Sequence, residues 1–376
     1  MKKTKVFLAS PVFIEIAKNR RVSESNKKKI EALWKELHEI AEVKVSEKRF
    51  PSNEEIRKEM LEWGANIVGC HLSHPISKEM QSNPNLFAVC TSTAGYNHIQ
   101  MVEGVLYTHT PGVLHRTVAD FTLSIILANL RNTVGLHNFV WNGNWKAGQK
   151  WDLDENLSMT MDNLTLGIVG LGEIGREIIK RIGPWGIKIV YYDLYRNQEF
   201  EKLYPNLKFE PDLKNIFSTC DIVSLHIPLN EKTKHSINKD LLKLMKKYSL
   251  LVNTARGGIL KTEDLLELLE SGQAKINCSF DVYENEPLDQ PTLMRFRKID
   301  EKDPELRFVF IPHNASADAD TRAEMDIMIL SDIIALVKSR EPNDLKTIRL
   351  IPEQRDLQRE ENYKKYNSFR INQYWH

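Results

Sequence analysis

Cysteine is scarce in this chain, and its scarcity excludes two frameworks at once. Cys70, Cys90, Cys220 and Cys278 lie far apart with no CxxC pair. Neither a disulfide scaffold nor a cysteine zinc site is expected, and a reducing, cytoplasmic compartment fits. Also missing is any run near the roughly 20 apolar residues needed to span a bilayer. Charge of one sign is lacking too: 52 Lys and Arg stand against 51 Asp and Glu. Nucleic acid and anionic membranes favour basic surfaces, so neither is expected as a partner. No internal repeat and no low-complexity segment interrupts the chain. The basic start ahead of Val6–Ile14 has the outline of a short signal peptide. Pro11 breaks that apolar run, Glu15 ends it, and no clean cleavage site follows, so a strand is expected instead.

What is present is a regular alternation of short apolar runs and helix-like stretches over 376 residues, enough for two domains. Lys5–Ala9, Ile67–Gly69 and Leu86–Val89 read as strands. Glu24–Glu42 reads as an amphipathic helix with Ile30, Leu33, Leu37 and Ile40 on one face. Thr117–Arg131 predicts a helix apolar on most faces, which must be buried between layers or domains. A polar connector rich in Asn, Asp and Trp covers Asn142–Asn163. From Leu164 a second series of strands begins: LGIVG, KIVYYD, DIVSLHI, SLLVNT and RFVFIPH. A helix resumes over Ala315–Lys338, and Ser339–His376 is a charged tail with late aromatics. That tail reads either as solvated with a few docking residues or as an arm on a neighbouring subunit. The expected class is α/β: two Rossmann-like, doubly wound parallel-sheet domains with an interdomain cleft.

The strongest local signal is Gly170-Leu171-Gly172-Glu173-Ile174-Gly175, between an apolar strand and a helical pattern. Alone, GxGxxG is weak; the strand–turn–helix setting gives it meaning. Gly170 permits the tight turn, Gly172 lets backbone approach a pyrophosphate, and Gly175 lets helix and strand pack closely. The helix N-terminus adds free N–H groups for phosphates. The next strand ends at Asp193, 18 residues beyond Gly175. A carboxylate there accepts ribose hydroxyls and repels a 2′-phosphate, which predicts NAD over NADP. Arg196, three residues on, works against that preference.

Three later segments each follow a strand: VNTARGG (252–258), DVYENEP (281–287) and PHNAS (312–316). Ligands bind at strand C-terminal ends in such sheets, so an Arg, a Glu and a His are expected to converge near a nicotinamide. With TPGVLHRTVADFTLSIILANLR, WNGNW, GLGEIG and LHIPLNEKT in the same order, the sequence resembles the D-isomer-specific 2-hydroxyacid dehydrogenase family across most of residues 90–320.

The resemblance implies hydride transfer between NAD(H) and a small 2-keto acid or D-2-hydroxy acid. It implies a carboxylate-binding Arg256, a proton-relaying His313, and Glu286 hydrogen-bonded to that imidazole. It assigns cofactor contacts to Gly170, Gly172, Glu173, Ile174, Gly175 and Asp193. It adds His226, Pro228 and Thr233, main-chain groups at Thr254 and Ala255, and Arg256, Asp281, His313, Ala315 and Ser316. Substrate contacts fall to backbone N–H groups of Thr93, Ala94 and Gly95, beside Arg256 and His313. Asn97 stands where the family usually has Asp, which weakens the expected anchoring of that loop. The implied domains are 1–109 for substrate, 110–316 for NAD, and 317–376 as a returning helix plus charged tail. A homodimer is implied, with Thr117–Arg131 at its interface. No metal is expected: His71 and His74 lack a third ligand. His115-Arg116 reads as a helix-start surface pair or as a contact for a second anionic group on the substrate. Trp141, Trp145 and Trp151 read as core packing or as a reach into a neighbouring site. Two rival readings remain, an NAD(H)-sensing corepressor-like binding protein and a phosphite-type dehydrogenase.

Overall fold

The computed structural model describes residues 3–150 and 152–375; Trp151 lies outside them. Two compact units form, Met1–Leu114 with Ala317–His376, and His115–Ser316.

The first unit is a five-stranded parallel sheet in the order β2-β1-β3-β4-β5. Its strands are β1 (Thr4–Leu8), β2 (Ala41–Val45), β3 (Ile67–Cys70), β4 (Ala88–Thr91) and β5 (Leu106–Thr108). Side chains alternate across such a sheet, and both faces here are covered, so the strands carry little polar character. On one face Val6, Leu8 and Ile67 pack with Ile30, Trp34 and Leu37 of the helix Glu24–Ile40. Ile329, Ile333 and Leu336 of the helix Ala319–Lys338 join that cluster. On the other face Phe7, Val68 and Val89 meet Ile56 and Met60. Ser23 caps the first helix, its Oγ accepting from the Asn26 N–H at 3.4 Å.

Two features of this unit differ from the sequence expectation. The Glu24 helix stops at Ile40, and the next residues pair with β1 in the register Thr4↔Ala41. Val43 and Val45 alternate with Glu42 and Lys44, a period of two; the helical reading took in only Ala41 and Glu42 of this strand. The tail docks on its own chain through a set of apolar residues, with its charged residues largely exposed. It folds onto this unit as short 3₁₀ turns, Pro342–Leu345, Pro352–Gln358 and Glu360–Ser368, then the helix Arg370–Trp375. Leu345, Ile348, Leu350, Leu357, Tyr366 and Ile371 enter the core. Arg370 Nη1 donates to the carbonyls of Gln81, Asn83 and Leu86 at 2.9, 2.8 and 3.2 Å.

The second unit is a seven-stranded parallel sheet in the order β12-β11-β10-β9-β6-β7-β8. Its strands are β6 (Thr165–Val169), β7 (Lys188–Tyr192), β8 (Leu207–Phe209), β9 (Ile222–Leu225), β10 (Ser249–Asn253), β11 (Ile276–Phe280) and β12 (Phe308–Phe310). The order reverses beside β6, with β7 on one side and β9 on the other. That switch point opens a crevice at the strand C-termini. β8 and β11 are additions to the strands expected from sequence. β11 reads INCSF, and its polar members are satisfied inside: Asn277 donates to the Tyr248 carbonyl at 2.7 Å and Ser279 to the Ile125 carbonyl at 3.2 Å. The apolar helix runs His115–Leu130 and buries Val118, Ala119, Leu123, Ile125 and Ile126. Among the described residues no helix is long and apolar enough to cross a membrane.

Asp332 provides a test of the first unit's core. Burial pushes its carboxyl up to about 7, against the pull of the Arg349 guanidinium at 2.7 Å. Arg349→Met leaves that carboxylate buried and unpaired, a change expected to cost about 3–5 kcal/mol. Adding Asp332→Asn recovers most of the loss. Denaturant unfolding of the single and double variants checks the coupling; equal losses in both would contradict it.

Candidate active site

The glycine loop leaves β6 under tight steric limits. Gly170 sits at φ +103°, and a Cβ there would lie 2.7 Å from the His226 carbonyl oxygen. A Cβ on Gly175 would lie 2.3 Å from the Gly170 oxygen. A Cβ on Gly172 would meet nothing within 4 Å, so the backbone is open there. The helix Glu173–Ile182 begins at once, and its first-turn N–H groups have no intrahelical acceptor. Asp193 ties the loop to the end of β7: Oδ2 accepts from the Leu171 N–H and Oδ1 from the Leu194 N–H, both at 2.7 Å. Spare lone pairs remain on each oxygen. An open glycine, a helix N-terminus and a fixed carboxylate together fit a dinucleotide. His115 Nδ1 is 3.8 Å from Glu173, and Arg116 is exposed.

The remaining candidates in this unit stand at the ends of β9 to β12. His226 shares a 2.8 Å hydrogen bond with Ser224, and burial pushes its pKa down to about 3, so the ring is neutral. Its Nδ1 is buried without a partner. Thr233 closes the following loop, donating to the Pro228 carbonyl at 2.6 Å. Thr254 shares a 2.8 Å hydrogen bond with Thr122 of the long helix. Asn253 brackets the next turn. Its Oδ1 accepts from the Ala255 N–H, and its Nδ2 donates to the Arg256 carbonyl, both at 3.1 Å.

Arg256 is the unusual charge. Burial lowers its proton affinity, and the nearby charge of Glu286 opposes that effect. Nη1 donates to the Ala255 carbonyl at 2.7 Å, yet no carboxylate forms an ion pair with it among the described residues. Glu286 Oε1 accepts from the Tyr283 N–H at 3.0 Å, and Oε2 is 2.7 Å from His313 Nδ1. Burial alone would raise the Glu286 pKa. The hydrogen bonds from His313 and Tyr283, with the charges of His313 and Arg256, more than offset it and hold the pKa below the usual value. An ionised carboxylate only accepts, so the facing His313 nitrogen carries the proton. His313 holds a left-handed backbone, φ +49°, and its N–H donates to the Asp281 carbonyl at 2.8 Å. Asp281 then accepts from the N–H groups of Asn314 at 2.6 Å and Ala315 at 3.0 Å. Burial raises its pKa. Both oxygens thus hold the turn that presents the imidazole, whereas the family resemblance assigns Asp281 to the cofactor. Ala315 is buried and Ser316 half-buried beside this turn.

In the first unit, the loop after β4 is held from below. Ser92 Oγ donates to Asp326 at 2.6 Å, while Arg322 Nη2 donates to the Ser92 carbonyl at 3.4 Å. Thr93 Oγ1 donates to the Gly95 carbonyl at 2.6 Å. Asn97 is exposed. His71 Nδ1 accepts from Arg322 Nη2 at 3.0 Å, and His74 Nδ1 accepts from the His71 N–H at 3.2 Å. Sequence reasoning missed Arg322 and Asp326. Their only signal was a spacing of four in a helix whose other positions are largely apolar.

The family model for the D-isomer specific 2-hydroxyacid dehydrogenase NAD binding domain matches residues 123–315. The chain belongs to that family. It transfers a hydride between NAD(H) and a 2-keto acid or 2-hydroxy acid. A glyoxylate reductase of Thermofilum pendens is 36% identical over 313 residues, 81% of this chain and 88% of its own. Another from Korarchaeum cryptofilum is 34% identical, covering 73% of this chain and 80% of its own. A solved protein from Thermus thermophilus superposes with a TM-score of 0.72 at 27% identity, covering 88% of this chain and 96% of its own. The turn that carries Arg256 at the end of β10 is held rigidly. Gly257 provides that, since a Cβ there would lie 1.8 Å from the Tyr283 carbonyl carbon. Gly257→Ala is therefore expected to lose about 2–4 kcal/mol of stability, as overpacking against backbone does. Reduction should be lost with it. An unfolding midpoint within experimental error of the native chain would contradict this packing.

Proposed function

We propose that the protein is an NADH-dependent reductase of glyoxylate or a 2-keto acid of similar size. The observation that supports this most directly is a half-buried Arg256 guanidinium with no carboxylate in contact among the described residues, on the same sheet edge as a His313 hydrogen-bonded to Glu286. Relatives at 36% and 34% identity are named glyoxylate reductase.

In this reading the bound cofactor supplies or accepts the hydride. The planar fork of Arg256 takes the substrate carboxylate through parallel hydrogen bonds and orients the carbonyl carbon. His313 donates a proton from its other nitrogen to the carbonyl oxygen during reduction and recovers it during oxidation. Glu286 is a positioning residue: its hydrogen bond to Nδ1 fixes the ring orientation. Asp193 accepts the adenosine ribose hydroxyls.

A panel of NADH-oxidation assays tests the substrate. Glyoxylate should give the highest kcat/KM, above pyruvate, hydroxypyruvate and a phosphorylated keto acid. A preference for the phosphorylated acid, abolished by Arg116→Ala, would instead assign Arg116 to a second anion. Tight NADH binding with no turnover on any member would favour a cofactor-sensing protein. His313→Ala should lower reduction by about 10²–10⁴-fold with NADH binding intact. Glu286→Gln weakens the 2.7 Å contact that orients the ring, so kcat for reduction should fall while the NADH dissociation constant stays unchanged. An unchanged kcat would remove Glu286 from a positioning role.

The protein is further proposed to be a cytoplasmic homodimer. All four thiols are free and buried. The helix Thr133–Trp141 buries none of its residues, and Val140 and Trp141 are 53% and 79% exposed. Light scattering should give twice the chain mass, falling to one chain when both become Asp. A monomeric native chain would contradict the assembly.

A further inference from the structure

The segment after Asp193 carries a second acidic residue with a specific task. Arg196 lies three residues beyond the carboxylate assigned to the adenosine ribose. A free guanidinium there offers a fork to a 2′-phosphate, the group that separates NADPH from NADH. The guanidinium is already occupied. Arg196 Nε is 3.0 and 3.1 Å from the two Glu201 oxygens, and Nη2 is 2.7 Å from Oε2. Phe209 lies beneath it, 6.0 Å from ring centroid to guanidinium carbon.

The two partners are unequally mobile. The Arg196 side chain is 53% exposed, that of Glu201 only 14%. Glu201 Oε1 also accepts from the hydroxyl of Tyr191 at 2.6 Å. Tyr191 belongs to β7 and is fully buried, and its oxygen in turn accepts from the Asn197 N–H at 2.8 Å. The carboxylate is thus anchored to the sheet, and the arginine is the part held. An exposed ion pair on its own is worth little. A bidentate pair with one partner fixed in the fold restrains the guanidinium more strongly.

We propose that Glu201 is a specificity-determining residue for the cofactor: by clamping Arg196 it withholds a cation placed three residues beyond Asp193 that could compensate a 2′-phosphate. Asp193 repels that phosphate directly, and Glu201 removes the counterweight. The proposal rests on the reading that Asp193 marks the ribose.

Equilibrium binding of NADH and NADPH, followed by cofactor fluorescence, tests it without turnover. Glu201→Gln keeps an acceptor for Tyr191 and removes the charge that holds Arg196. It should tighten NADPH binding by about tenfold, on the scale of one charge-assisted phosphate contact, and change NADH by less than twofold. Adding Arg196→Ala should return NADPH to its native affinity. Arg196→Ala alone should leave both cofactors unaffected, and this variant keeps the test decisive if Glu201→Gln folds poorly. Weakened NADPH binding in Arg196→Ala alone would show that the guanidinium already reaches the phosphate, overturning the clamp. Unchanged NADPH binding in Glu201→Gln overturns it too. Asp193→Asn then separates the causes: relaxed discrimination keeps the ribose reading, and none removes both.

Discussion

A half-buried cation with no carboxylate in contact among the described residues is the constraint on which this site depends. Burying an uncompensated charge costs several kcal/mol, and folds rarely tolerate it without use. Arg256 is half-buried, bonded through Nη1 only to the Ala255 carbonyl, and sensitive to Glu286 only through its field. A substrate carboxylate would complete what the fold leaves incomplete. The surrounding details serve that one group. Asn253 brackets its turn, and Gly257 admits the Tyr283 backbone closely enough that no side chain fits.

The imidazole is treated in the opposite way. His313 receives its partner within the fold, Glu286 at 2.7 Å, and its strained backbone is fixed by Asp281 through the adjoining N–H groups. Arg256 thus lacks a carboxylate partner among the described residues, whereas His313 already has one. Strand ends supply all four residues, because β10, β11 and β12 are neighbours in a parallel sheet and their C-termini face the same way.

Much of this was legible in the sequence because the chemistry needs particular residues at particular strand ends. The glycine spacing, Asp193 and the three motifs ending in Arg256, Glu286 and His313 each carry a steric or electrostatic reason visible in the letters. What was not legible depends on partners far away in the chain. β11 looks insufficiently apolar until Tyr248 and Ile125 are seen to satisfy Asn277 and Ser279. β2 went unread because only three of its residues lie beyond the expected helix, too few to show an alternation. The docking of the tail was hidden because its buried residues, Leu345, Ile348, Leu350, Leu357, Tyr366 and Ile371, fall at irregular spacing among charges, which no amphipathic helix or strand pattern detects. Arg322 and Asp326 offered no more than their spacing of four, and Glu201 nothing; each acts through contacts that the fold sets up.

The central claim is that Arg256 is the carboxylate receptor and that this role is separate from cofactor binding. Calorimetric titration of oxamate, a non-reacting mimic of a 2-keto acid, into the NADH complex tests it most directly. The native chain should bind oxamate, and Arg256→Ala should lose at least about a hundredfold in affinity, as removal of a bidentate charged contact implies. NADH affinity should stay within twofold. Oxamate binding of equal strength in the variant would contradict the account.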